Sequence, residues 1–321
     1  MPENQTTDKI RLGVSTCLLG ENVRYDGGHK RDRFITDVLS RYVDFVPVCP
    51  EVECGFPIPR ESFRLVGDSS NPRLVTTKTK VDHTDRMKAW AEKRVRELES
   101  ENLCGYIFKS KSPSSGLLRV KVYDKNGVPS KSGVGLFARA FTEHFPLLPV
   151  EEEGRLNDLP IRENFIERIF TLKRWREMLE GGRKRGSLVE FHTRHKLLLL
   201  AHSPEHYRQM GKLVARPDAL SPTELFDTYQ ALLMQAMERK ATVKKHINVI
   251  QHMLGYFKKE LTSDEKQEML EILEHYRNGD YPLIVPLTLL NHYVRKYDPP
   301  YLRKQYYLNP HPLELQLRNH A

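Results

Sequence analysis

IRLGVSTCLLGENVRYDGGHKRDRFITDVLSRYVDFVPVC, residues 10–49, decides how the first half of the chain is read. Two short β-type runs, IRLGVST and VDFVPV, flank a glycine-containing loop and the helical pattern RFITDVLSRY. Such an alternation implies parallel strands joined by a crossover. It continues downstream, where the charged helical pattern TDRMKAWAEKRVRELESE leads into the β-type run GYIFK. Residues 1–155 are therefore expected to form an α/β, Rossmann-like domain on a mostly parallel sheet.

Unusual residues stand at the carboxyl ends of these runs. Cys17 follows LGVST, Cys49 follows DFVPV, and the turn Ser112-Pro113-Ser114-Ser115-Gly116 follows GYIFK. In an open parallel sheet that edge is where ligand crevices form. The turn itself reads as the link between two strands, since Val120, Val122 and Tyr123 beyond it alternate with Arg119 and Lys121. Its hydroxyls and N–H groups, with Lys109 and Lys111, suit either an anion cradle or a solvated turn.

All four cysteines, Cys17, Cys49, Cys54 and Cys104, fall in the first third of the chain. That count argues against a disulfide scaffold and leaves buried thiols or ligands for a soft metal. Cys104 lies at the opposite end of its strand, ~15 Å from the serine loop if the intervening residues are extended, and is read as a core thiol. Cys54 shares the loop VCPEVECG with Cys49 and could turn back toward the crevice. Glu51 and Glu53 occupy the same loop and would point to one side if it is extended, each a candidate proton donor in an apolar crevice.

Beyond the acidic, proline-flanked LPVEEEGRLNDLP the β-type runs nearly vanish, so residues 156–321 are expected to form an all-α domain. SPTELFDTYQALLMQAMERK opens with a helix start signal, and TSDEKQEMLEILEHYRNG runs from a Thr262 or Ser263 cap to a Gly279 stop. The formal net charge of +9 makes a polyanionic partner plausible. No apolar run reaches the ~18 residues of a membrane span, and the start has no signal-peptide core; a cytoplasmic protein is expected.

VSTCLLGENVRYDGGHKRD, PVCPEVECGFPIPRE and IFKSKSPSSG resemble the three signature segments of the thiouracil desulfidase family, Rossmann-like domains that carry a [4Fe–4S] cluster. EFHTRHKLLLLAHSPEHYRQMGKLVA, HINVIQHMLGYFKKEL, YPLIVPLTLLNHYV and YLNPHPLELQLRN resemble the YbgA-like helical domain. The fused arrangement is similar to that of desulfidases that convert 4-thiouridine in tRNA to uridine. The resemblance implies a cluster held by three cysteines, one per segment, with one iron left open.

Carried over, the first two ligands are Cys17 and Cys49, and the third position falls on Ser115, where the family loop reads Ser-Pro-Ser-Cys-Gly. Cys54 is the favoured substitute ligand. An alkoxide from Ser115, or a weakened cluster, are the alternatives. The resemblance further implies a hydrolytic exchange of sulfur for oxygen without net redox. Glu51 would move the proton, Ser112 would position substrate or water, and Lys109, Lys111 and Arg24 would contact phosphate or base. The substrate would be tRNA, or a free thiolated nucleobase. A basic surface in the helical half, from GGRKRG, Lys244, Lys245 and His246, would serve tRNA. A cluster-less RNA-binding protein is the competing class.

Overall fold

The computed structural model describes residues 9–216 and 220–319, which fall into two compact units, Met1–Asp158 and Leu159–Ala321. In chain order the strands are β1 (Ile10–Ser15), β2 (Val43–Val48), β3 (Phe63–Val66), β4 (Arg73–Thr76), β5 (Tyr106–Phe108), β6 (Val120–Tyr123), β7 (Pro129–Gly133) and β8 (Val150–Glu152). They make two four-stranded sheets, ordered β2-β1-β5-β8 and β4-β3-β6-β7.

The first sheet is parallel throughout. Leu12, Val14, Tyr106, Ile107 and Phe108 are fully buried, as expected for strands covered on both faces. Gly13 on β1 is required by close approach: a Cβ there would overlap the Tyr106 ring of the neighbouring strand. Helices α2 (Thr84–Glu97) and α3 (Leu136–His144) follow α1, a single turn at Pro50–Glu53.

The serine turn links two strands as expected, but β5 belongs to the first sheet and β6 to the second, so the loop passes from one sheet to the other. Two expectations are corrected. The second sheet is mixed, with β3 parallel to β6 but antiparallel to β4. The crossover RFITDVLSRY forms only short π and 3-10 turns, Phe34–Val38 and Leu39–Arg41.

In the described residues the second unit contains no named strand and is built on α4 (Leu159–Glu180), α5 (Arg185–His202), α6 (Pro204–Ala215), α7 (Pro222–Glu238), α8 (Val243–Leu254), α9 (Ser263–Asn278) and α10 (Ile284–Tyr297). Ser221 with Glu224, and Thr262 with Glu265, form capping boxes at the starts of α7 and α9. Gly279 ends α9 in the left-handed conformation, φ 83°. Trp175 stacks on Tyr229 with ring centroids 5.1 Å apart and donates to Gln230. Among the described residues no helix is long and apolar enough to cross a membrane.

Candidate functional site

The carboxyl ends of β1, β2 and β5 border a cavity of about 380 Å³ lined by Cys17, Cys49, Ser115, Glu51, Ser112, Arg24, Lys109 and Lys111, among others. β1 and β2 pair in register to Ser15 and Val48, so Cys17 and Cys49 emerge just beyond adjacent strand ends. Cys17 sits in a 3-10 turn, and its carbonyl accepts from Lys30 N–H at 2.9 Å. Cys49 caps α1, with Pro50 at the first helical position, where a missing N–H costs nothing.

The serine loop is fixed from behind. The first N–H groups of α3 donate into it, Leu136 to the Pro113 carbonyl at 3.2 Å and Phe137 to that of Ser114 at 2.9 Å. Gly135 is needed because a Cβ there would overlap the Ser114 carbonyl. Ser112 Oγ accepts from the N–H groups of Ser114 (3.3 Å) and Ser115 (3.1 Å), which closes the turn. Ser115 is buried at the cavity wall.

Glu51 links the two walls. One oxygen accepts from the Ser114 hydroxyl, which lies 2.9 Å from Ser112 Oγ. The other is 3.7 Å from Cys49 Sγ and 3.8 Å from Arg60 Nη2. Arg60, whose side chain is nearly buried, also donates to the Val23 carbonyl at 3.0 Å. Sequence reasoning missed it; its only signal was its place in the FPIPRE segment. Burial pushes the Cys17 thiol up to about 11, with Lys109 opposing and Glu51 adding. Burial and then Glu51 push Cys49 up to about 12. Both are therefore neutral thiols near neutral pH.

Not every expected residue reaches this cavity. Cys54 belongs to a separate apolar core with Phe56, Leu65, Leu74 and Met87, and its Sγ lies 3.6 Å from the Arg86 carbonyl. This corrects the expectation that Cys54 supplies the third ligand: Pro50–Glu53 turns as a helix and carries Cys54 toward α2. The same turn separates the carboxylates. Glu53 faces away, capping Cys49 N–H at 2.9 Å and pairing with Arg94 at 2.9 Å.

The cations differ as well. Lys109 is tied to Glu153 and Ser110, so its ammonium is already neutralised at the cavity wall. Arg24 lies 3.4 Å from Asp26. Lys111 is exposed, at a left-handed φ of 61°. Cys104 is buried, and its N–H bonds to the Arg11 carbonyl at 2.8 Å.

In the second unit the GGRKRG segment and Lys244 are exposed. His246 is buried and bonded to Tyr307 at 2.9 Å, which corrects its place in the expected basic surface, while Lys245 is half-buried and donates to the His202 carbonyl at 2.7 Å. His192, His195 and His202 bond separately to Tyr229, to the Phe191 carbonyl with Arg174, and to the Arg239 carbonyl with Glu167.

Comparison with known proteins matches residues 12–153 to the family described as 2-thiouracil desulfurase, and residues 196–312 to DUF1722, a family of proteins of unknown function. The uncharacterized protein YbgA of Escherichia coli (strain K12) is 33% identical over 158 residues, 49% of this chain and 94% of that protein. The uncharacterized protein YbbK of Bacillus subtilis (strain 168) is 31% identical over 108 residues, 32% of this chain and 71% of that protein. A solved structure, the [4Fe-4S]-dependent thiouracil desulfidase TudS, aligns with a TM-score of 0.39 and 28% identity, over 48% of this chain and 97% of its own. The chain belongs to the families of YbgA and of YbbK, joining a thiouracil desulfurase-like region and a DUF1722, YbgA-like region in one polypeptide.

Proposed function

We propose that this protein is a [4Fe–4S]-dependent desulfidase that replaces the sulfur of a thiolated pyrimidine with oxygen, its substrate being 4-thiouridine in tRNA. The observation that carries the reading is the meeting of Cys17, Cys49, Ser115 and Glu51 around one cavity at the carboxyl edge of a parallel sheet. The donor set fits a cluster that the Cys17 and Cys49 thiolates would hold, with the Ser115 hydroxyl as the third donor. When bound, the cluster supplies a Lewis-acidic iron for the thiocarbonyl sulfur.

The chain's own residues supply the rest. Glu51, held by Ser114 and Arg60, takes the proton of the attacking water and returns it to the departing group. Ser112 keeps the loop closed and so fixes the distance between Glu51 and the substrate ring. The exchange is hydrolytic, with no net change in oxidation state. A second reading, desulfuration of free 2-thiouracil, is favoured by the description of the matching family.

The test is anaerobic reconstitution followed by iron and sulfide analysis. Wild type should hold about four irons per chain. Cys17→Ala and Cys49→Ala should lose them, and Ser115→Cys should retain them longer against a chelator. Glu51→Gln should keep its iron and lose ~10²–10⁴-fold in sulfide release. Sulfide from thiolated tRNA but not from free 2-thiouracil supports the first reading and the reverse supports the second. Absence of iron from the wild-type protein would sink both.

A further inference from the structure

The desulfidase chemistry occupies one face of the first unit and leaves a larger, adjoining groove unexplained. That groove, about 930 Å³, shares Phe63, Ser110, Lys111 and Pro113 with the smaller cavity. Arg64, Arg119, Lys121, Lys131 and Arg155 also line it.

Its floor is the outer face of the second sheet. Leu65, Val120 and Val122 point into the apolar core, so by strand alternation Arg64 and Lys121 point outward. Leu65 pairs with Val122, which sets Arg64 beside Lys121. The bulge between Val120 and Val122 sets Lys121 opposite the part of β7 that carries Lys131. Three cations thus stand in one row across three strands, at the ~4.8 Å strand spacing. Like charges on neighbouring strands repel, and an external anion would relieve that repulsion.

Little nearby neutralises the row. Glu152 lines the groove, but one carboxylate oxygen is committed to the N–H groups of Leu117 (2.8 Å) and Leu118 (3.1 Å). Arg155 pairs with Glu151 at 2.7 Å. Arg64 lies over the Tyr123 ring, 5.3 Å from its centroid, and donates to the Thr77 carbonyl at 3.1 Å. Its Nε is buried without a hydrogen-bond partner among the described residues. Tyr123 adds an aromatic face among the cations, the combination that tracks a nucleic-acid strand.

We propose that this groove binds the phosphodiester backbone of an RNA strand, with Arg64, Lys121 and Lys131 meeting successive phosphates, and that the strand leads its base across Lys111 and Pro113 into the cavity. The last clause rests on the proposed desulfidase reading; the binding of RNA by the groove does not. A free nucleobase has no phosphate for this row, so the groove selects a polynucleotide over a base.

The experiment compares wild type with the triple variant Arg64→Glu, Lys121→Glu, Lys131→Glu, using fluorescence anisotropy of a labelled, unmodified tRNA transcript across a salt series. The variant should bind at least about tenfold more weakly, and the slope of log affinity against log salt should fall by about 2 to 3. Sulfide release from free 2-thiouracil, or the thermal midpoint if that activity is absent, should stay at the wild-type value. Equal affinity and slope in the two proteins overturns the proposal, as does wild type that binds no tRNA. Displacement of the tRNA by polyglutamate at equal charge also overturns it, because the groove would then read charge alone. Loss of RNA binding in a protein that desulfurates nothing leaves the groove standing and removes only the desulfidase reading.

Discussion

Glu51, half-buried, and Glu167, buried, are both carboxylates flanked by an arginine, yet their surroundings differ in what is left to bind. Glu167 has both oxygens engaged, one by Arg318 Nη2 at 2.8 Å and the other by His202 Nε2 at 2.8 Å. Arg318 also reaches Glu163 at 3.0 Å and the Tyr307 carbonyl at 2.7 Å. Burial works against Glu167, but the His202 hydrogen bond and the charges of His202 and Arg318 hold its carboxyl well below the usual range. Glu163, by contrast, is pushed up by burial and by Glu167.

Oxygens of Glu163 and Glu167 and a ring nitrogen of His311 lie within 4.8 Å of one another, a spacing that a metal ion could use. A cavity of about 260 Å³ borders Glu163 and Glu167 as well, so open volume does not separate the two regions. The resident cation does. Arg318 bridges both carboxylates at hydrogen-bond distance, whereas Arg60 stands 3.8 Å from Glu51 and leaves two thiols and a serine hydroxyl lining the cavity unbridged. The helical cluster is a structural network, and the cavity of the first unit is a place for a ligand.

The largest expected effect breaks that network. Arg318→Met keeps most of the volume but strands two buried carboxyl groups without their cation, and should destabilise the helical unit by about 3–5 kcal/mol. Denaturant unfolding followed by Trp175 fluorescence in a Trp90→Phe background reads this unit, because these are the two tryptophans of the chain. Iron retention by the first unit should not change. A loss under about 1 kcal/mol would mean that the guanidinium is dispensable and that the network is not what holds the helical unit together.

An intermediate effect comes from the histidines of the same unit. Burial holds His192 down to about 4, with Lys196 adding to it, and holds His246 to about 3 and His311 to about 4, both with Arg318 adding. Each is neutral when folded and takes a proton near 6.5 when unfolded. Between pH 6.5 and about 4 the unfolded chain therefore binds more protons, and stability falls as pH falls. Each histidine contributes up to about 1.4 kcal/mol per pH unit in that window and nothing above it. His192→Gln should flatten the dependence by the share of one group. A flat profile from pH 6.5 to 5 would contradict these burials.

These regions also differ in how far the sequence exposed them. Cys17 and Cys49 were legible because strand ends in a parallel sheet are local features, readable from a β-type run and the residue after it. The Thr262 and Ser221 caps were legible for the same reason: the hydroxyl and the glutamate three residues on are a local pattern. The second sheet was not, since β3 pairs with β6 some 57 residues away and no local pattern records that choice. Nor was the Glu163–Glu167–Arg318 network, which spans more than 150 residues. The direction of Glu51 and Glu53 turned on whether a short loop is extended or helical, and Pro50 at a first helical position decided it.

Cys54 is where proximity in sequence misleads most, and it offers the smallest and most discriminating effect. It lies five residues from Cys49, yet its thiol packs under Arg86, which donates to the Cys54 carbonyl at 3.0 and 2.7 Å and lies 4.3 Å from the Phe56 ring centroid. Cys54→Ala removes one buried sulfur from an apolar core, with an expected cost of about 1 kcal/mol. Because Cys54 does not line the cavity, iron content after reconstitution should match wild type, while Cys49→Ala loses it. If Cys54→Ala instead sheds its iron, the loop must rearrange on loading to bring this thiol across from the α2 side, and the assignment of the third position to Ser115 falls with it.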